Sequence, residues 1–315
     1  MHRIEKTPNE GGLFGETPPN RTPIGADWLN AIQEEIAYII EQAAITLKLA
    51  ATDDHHQLLT ALNRLYSPVS TERAHFIFKD TDEIYIGAGE YFHIGTVSQI
   101  VYWASQLTFK FGPGGSNTSS EALGVSEWHY VYLDNSVIAG QSSNVLTAGC
   151  LLNSTVTPVW SSTKRGWYGD GTGNTQTTDR CIFAIQTTGA SALIEFFHNG
   201  DFVLYADQVT DETGVLDSGS GWVDTDLTIP PIAIAAEIAV RCIYVDAGTT
   251  LTWRTNGQTG NTGHTVASIS IAAEYSSACF KVITDAAQKI ETQYGAGATN
   301  QRQIFTNGWY FPVGM

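Results

Sequence analysis

The spacing of apolar side chains changes once along this chain, and that change limits what it can fold into. In "GADWLNAIQEEIAYIIEQAAITL", Leu29, Ile32, Ile36, Ile39 and Ala43 recur at the three- and four-residue spacing of one helix face. From about residue 70 the spacing drops to two. "DEIYIGAGEYFHIG", "VSEWHYVYLDNS", "RCIFAIQ", "ALIEFFHNGDFVLYAD" and "EIAVRCIYVDAG" are aromatic and β-branched runs closed by turn residues. In "FFHNGDFV", Asn199-Gly200 predicts a type I′ hairpin, since both central residues need positive φ and Asn and Gly tolerate it. Asn256-Gly257 and Asn307-Gly308 carry the same signal more weakly. The pattern predicts a mainly β chain: a short N-terminal helical hairpin, then two antiparallel β-sandwich-like domains.

Four segments follow. Residues 1–25, rich in Gly, Pro, Asn and Thr, form an extended arm that orders against a partner. Residues 26–69 hold two helices. Asp27 is the expected N-cap of the first. Asp54 and Gln57 make a capping-box pattern before the second, which carries Leu58, Leu62 and Leu65 on one face and stops at Pro68. The acidic, Gly/Ser-rich stretch "QVTDETGVLDSGSG" then divides a first β domain, 70–210, from a C-terminal one, 211–315. Isoleucine at a and d positions favours three-stranded association, so the stripe is a candidate trimerisation element; packing on its own neighbour would bury it equally well.

The charge balance narrows the partners. Charged residues make up 15%, against about a quarter in ordinary globular domains. The net charge is −16 and the pI near 4.7. Phosphate backbones need clustered Lys and Arg, so nucleic acid is not an expected partner, and anionic membrane surfaces are disfavoured for the same reason. No stretch is long and apolar enough to predict membrane insertion. "MHRIEKTPNEGG" lacks the apolar core of a signal peptide, which predicts synthesis and assembly in a cytoplasm. Cys150, Cys181, Cys242 and Cys279 show no paired spacing and read as buried free thiols.

The search for chemistry finds no catalytic motif, metal site or cofactor signature. "YGDGTGN" lacks the helix a phosphate cradle needs and reads as a mobile loop. Asp224 and Asp226 would share a strand face, and Asp80, Asp82 and Glu83 cluster at a strand start, but neither set has a groove to work in. Trp103, Trp128, Tyr130, Tyr132, Trp167 and Trp222 read as core or sheet-face residues. Trp253 precedes a polar excursion, "RTNGQTGNTGHT". Trp253, Asn256, Gln258, Asn261 and His264 are therefore the candidate receptor contacts, an aromatic face amid groups that can bond a sugar's hydroxyls.

The first helical block resembles a segment near the start of tailed-bacteriophage tail-fibre and receptor-binding virion proteins. There a W-L-N-x-I/V-Q-x-E helix leads through an acidic turn to a Q-L-L-x-A helix. Trp28, Leu29, Asn30, Ile32, Gln33, Glu35, Gln57, Leu58, Leu59 and Ala61 match it. "AAITLKLAATDD" departs from it, lacking the usual Gly and Pro before the acidic turn. "KRGWYGDGTGNTQTTDRCIFAI" with "IEFFHNGDFVLYAD" is similar to a β module of fibre-like proteins, and "GWYFPVGM" to the ends of fibre tips.

The resemblance implies a homotrimer in the virion tail, assembled in the bacterial cytoplasm. Its N-terminal segment would dock on tail or baseplate proteins through Trp28, Leu29, Ile32, Ile36, Ile39 and Ala43. Its β domains would meet a host-surface glycan or protein without cleaving it. The alternatives are an adaptor, collar or head-fibre protein holding other virion components, and a polysaccharide depolymerase.

Overall fold

A computed structural model describes residues 26–42, 74–95, 98–103, 105–141, 144–216, 221–243, 250–260, 263–268, 275–294 and 300–315. The N-terminal arm, the expected second helix with Gln57, Leu58, Leu59 and Ala61, and the candidates Ala43 and Asn261 lie outside these residues. The chain is mainly β, built as several antiparallel sheets. No helix among the described residues is long and apolar enough to cross a membrane.

Helix α1 (Ala26–Gln42) begins one residue ahead of the expected cap, so that Asp27 is its second residue. Trp28 and Leu29 belong to its first turn. Burial is deepest at Ala37 and Ile40, while Ile32, Ile36 and Ile39 are half-buried and Tyr38 is exposed. The face α1 buries in this chain is thus turned slightly from the isoleucine stripe.

Strands β1 (Phe76–Asp80), β2 (Glu83–Ile86), β3 (Gly89–Ile94), β4 (Ser98–Trp103) and β5 (Leu107–Lys110) form a three-stranded sheet, β1-β2-β5, and a β3–β4 hairpin. Next come β6 (Trp128–Leu133), the single turn α2 (Asn135–Ile138), β7 (Leu151–Ser154), β8 (Val159–Ser161), β9 (Gly166–Tyr168) and β10 (Arg180–Gln186). They make a sheet in the order β7-β6-β10-β9-β8. Central β10 is buried on both faces from Arg180 to Ile185, which is why "RCIFAI" runs apolar rather than alternating.

The remaining strands are β11 (Phe196–Asn199), β12 (Phe202–Leu216), β13 (Val223–Asp226), β14 (Ala235–Ile243), β15 (Thr250–Thr255), β16 (His264–Ser268), β17 (Tyr275–Ile283), β18 (Lys289–Tyr294) and β19 (Asn300–Tyr310). They divide into a sheet β11-β12-β19-β14-β17 and a sheet β13-β18-β15-β16.

Three local expectations shift. Asn199 pairs with Phe202, so the β11–β12 turn is centred on Gly200 and Asp201. Gly200 alone of the two has positive φ, at 61°, which matches a II′ turn rather than I′. Asn307-Gly308 is no turn but an irregularity within β19, where the pairing with β14 skips Asn307. A Cβ on Gly308 would lie 2.1 Å from the Val203 carbonyl oxygen, so only glycine fits there. Cys150, Cys181 and Cys242 are buried free thiols as expected, but Cys279 is exposed.

The expected divide at 210/211 falls within β12, which pairs with β19 on both sides of it. The aromatic core also draws on both sides. Phe183 stacks on Phe76 at 4.2 Å and meets Phe196 at 5.2 Å, Phe311 at 6.0 Å and Trp309 at 6.5 Å. Phe183 is the ring around which the three groups of strands meet.

Candidate functional site

Two surface hairpins present aromatic side chains across adjacent strands. On β15–β16, Trp253 pairs directly with His264, their rings 5.0 Å apart. Phe280 of β17 stacks on Trp253 at 5.6 Å and 29°, leaving it half-buried against the core. Its polar neighbours are engaged as well. Asn256 Nδ2 donates to Asp285 Oδ2 at 2.8 Å. Arg254 Nε donates to Glu291 at 2.5 Å and Nη1 to the Gly260 carbonyl at 2.7 Å, with the guanidinium over the Trp222 ring. Gln258 is exposed, and its main-chain N–H donates to the Thr255 carbonyl. The fold thus brings Trp253 and His264 together, Trp253 half-buried against Phe280 and His264 exposed, and engages Asn256 with Asp285.

The acidic sets are surface ion pairs. Lys289 lies between Asp224 and Asp226, at 3.6 and 3.4 Å. Lys110 reaches Asp82 at 3.1 Å, and Lys79 pairs with Glu83. Exposed pairs of this kind contribute little to stability.

The second hairpin, β8–β9, places Trp160 directly opposite Trp167, edge to face at 5.8 Å. Trp167 Nε1 donates to the Val313 carbonyl at 3.0 Å, fixing that ring against the C-terminal segment. Gly314 also lies against Trp160: a Cβ there would come within 2.3 Å of the Trp160 ring, and its φ is +92°. In contact with Trp167 and Gly314, Trp160 remains 46% exposed. It lines an open cleft of about 400 Å³ with Val159, Ser162, Lys164, Asp170 and Thr177.

The "YGDGTGN" loop, expected to be mobile, borders the cleft through Tyr168, Gly169 and Asp170, and hydrogen bonds hold it at Gly169, Asp170, Thr172 and Asn174. Gly171 and Gly173 adopt positive φ, a backbone shape glycine supplies without strain. Asn174 Nδ2 donates to the Ser119 and Asn153 carbonyls at 2.6 and 3.0 Å. The Thr172 N–H and hydroxyl both donate to Asp170 Oδ1, at 2.8 and 2.6 Å. These bonds, the hydroxyl's foremost, hold the Asp170 carboxyl below its ordinary range.

Behind the loop, Asp179 accepts the Gln176 N–H at 2.7 Å and the Asn135 N–H at 2.8 Å. Burial nevertheless pushes it up to about 6. Lys164 donates to the Thr177 carbonyl, covers the Tyr168 ring at 4.6 Å, and its charge draws Asp179 back down. His93, buried on Asn135 at 3.1 Å, is driven down to about 4 by its burial. Two tryptophans flanking a short turn in "VWSSTKRGWY" were the sequence signal for this cleft, which reading Trp167 as a core residue concealed.

No family model matches the chain, and no curated protein matches it. Among solved structures it is similar to a carbohydrate-binding module from Cellvibrio mixtus lichenase 5A in complex with cellotriose. Identity is 18%, over 36% of this chain and 84% of that one, with a TM-score of 0.19. A Bacillus endospore appendage protein shares 19% identity over 34% of this chain and 93% of its own, at 0.18. An exo-β-1,3-galactanase from Phanerochaete chrysosporium shares 11%, over 75% and 68%, at 0.23. These superpositions are too loose to establish a common fold.

Proposed function

We propose that this chain is a non-catalytic receptor-binding protein of a tailed-phage virion, attaching the particle to a sugar on the host surface through the Trp160 cleft. The observation that carries it is a half-exposed indole locked in place beside a carboxylate and hydroxyl groups. An aromatic face stacks on a sugar's C–H surface, and polar groups around it select the hydroxyl pattern. The N-terminal W-L-N-x-I/V-Q-x-E block supports the virion assignment and, with the isoleucine stripe, a trimer with sandwich-like β units. Three shallow clefts on one particle would bind through effective concentration, so each can be weak.

The test replaces Trp160 with Ala in the virion. Particles should assemble normally and lose host adsorption at least tenfold, and adsorption of the parent should tolerate added salt. Unchanged adsorption would remove the cleft from recognition, and a monomeric mass for the purified protein would remove the avidity argument.

A further inference from the structure

We infer that the Trp160 cleft selects an uncharged sugar ring presenting two adjacent hydroxyl donors and discriminates against sugar carboxylates. This rests on the recognition reading above and adds the chemical class of the ligand.

A sugar acid would need a cation, and the one cationic side chain lining the cleft is Lys164. Its ammonium is turned to the loop, donating to the Thr177 carbonyl and lying over the Tyr168 ring. Its charge also acts on the buried Asp179 carboxylate behind the loop. Those contacts hold the ammonium against the loop and use one of its three N–H donors, and the Asp179 carboxylate offsets part of its charge.

Asp170 points the other way in chemistry. The bonds it accepts from the Thr172 N–H and hydroxyl both fall on Oδ1 and leave Oδ2 to other donors. The residue is exposed and lines the cleft. Thr172 thus fixes an ionised carboxylate with acceptor capacity to offer. Two neighbouring hydroxyls on one ring face match an acceptor of that kind, and bonds to a charged acceptor are among the stronger ones. A ligand carboxylate would instead meet Asp170 at close range, within a chain of net charge −16. Trp160 supplies stacking to either ligand, so discrimination falls to Asp170.

The experiment titrates the purified full-length protein with methyl glucoside, methyl galactoside and methyl glucuronide at fixed ionic strength, following tryptophan fluorescence and indole N–H resonances. At least one neutral glycoside should bind about tenfold or more tighter than the glucuronide, the factor one charge-assisted bond supports. Asp170→Asn keeps an oxygen for Thr172 and puts an amide N–H₂ at the other position. That variant should lose about tenfold for the neutral sugar and bring the glucuronide to near parity. Glucuronide binding as tight as the neutral sugars, or discrimination unchanged in Asp170→Asn, would overturn the ligand class while leaving the cleft a sugar site. No binding of any glycoside, or undiminished binding by a folded Trp160→Ala variant, would instead sink the recognition reading and this inference with it.

Discussion

The Trp253 and Trp160 corners begin from one local device and end differently. Each is a hairpin placing an aromatic ring opposite another ring, Trp253 with His264 and Trp160 with Trp167. At the first corner Phe280 stacks on the indole, and Arg254 and Asn256 are satisfied by Glu291 and Asp285. At the second, Gly314 lies against the Trp160 ring but has no side chain to cover it. On the proposed reading, a surface tryptophan serves recognition where its neighbours hold it and leave part of it open, as they leave Trp160. Ring type and loop polarity alone do not distinguish the two cases.

The largest effect that would break this comparison is at Trp253. Trp253→Ala should lower unfolding free energy by about 3 kcal/mol through lost packing on Phe280, and leave sugar binding unchanged. Trp160→Ala should do the reverse, with little change in a denaturant midpoint. If Trp253→Ala is stable and fails to bind, the two corners exchange roles.

A next, smaller effect contrasts two buried carboxylates. Asp211 accepts from Thr228 and Thr306, and burial pushes it up to about 6, as it does Asp179. A carboxyl raised on folding binds its proton more tightly in the native state. Its favourable contribution is therefore present at low pH and lost as pH rises through about 6. Asp211→Asn retains an oxygen for Thr228 and removes that titration. It should gain about 2 kcal/mol relative to the parent between acid and neutral pH, read by denaturation at a series of pH values. His93 titrates oppositely, its contribution lost as pH falls, but it is common to both proteins and cancels. A constant difference between the two would mean that Asp211 is ionised throughout. Near the cleft, Asp179→Asn cannot accept both the Gln176 and the Asn135 N–H, so it should weaken sugar binding where Asp211→Asn does not.

The smallest effect tests the backing of Trp160. Gly314→Ala introduces a Cβ at positive φ and against the indole. It should destabilise by about 1 kcal/mol and weaken sugar binding, because the ring must turn to make room. Unchanged affinity would show that Trp160 does not need its support.

Much of this fold was legible from the order of residues. The change of hydrophobic period marked α1 and the strands, because side-chain direction along a helix or strand is a local property of the backbone. The Gly200 turn was legible to within one residue, since its positive φ is a local demand. Asn307-Gly308 was not, because the carbonyl that forbids a side chain there belongs to Val203 on another strand. The run "RCIFAI" announced burial on both faces but could not name Phe183 as the meeting point of rings from Phe76 to Phe311.

By itself the sequence determined a mainly β chain with one amphipathic helix at its start, a deficit of charge, and several aromatic rings set in polar surroundings. Tertiary structure decided which ring stayed open. Phe280 closes over Trp253 and Gly314 backs Trp160 from positions far along the chain, so exposure was a consequence of packing between distant segments, which local periodicity does not encode.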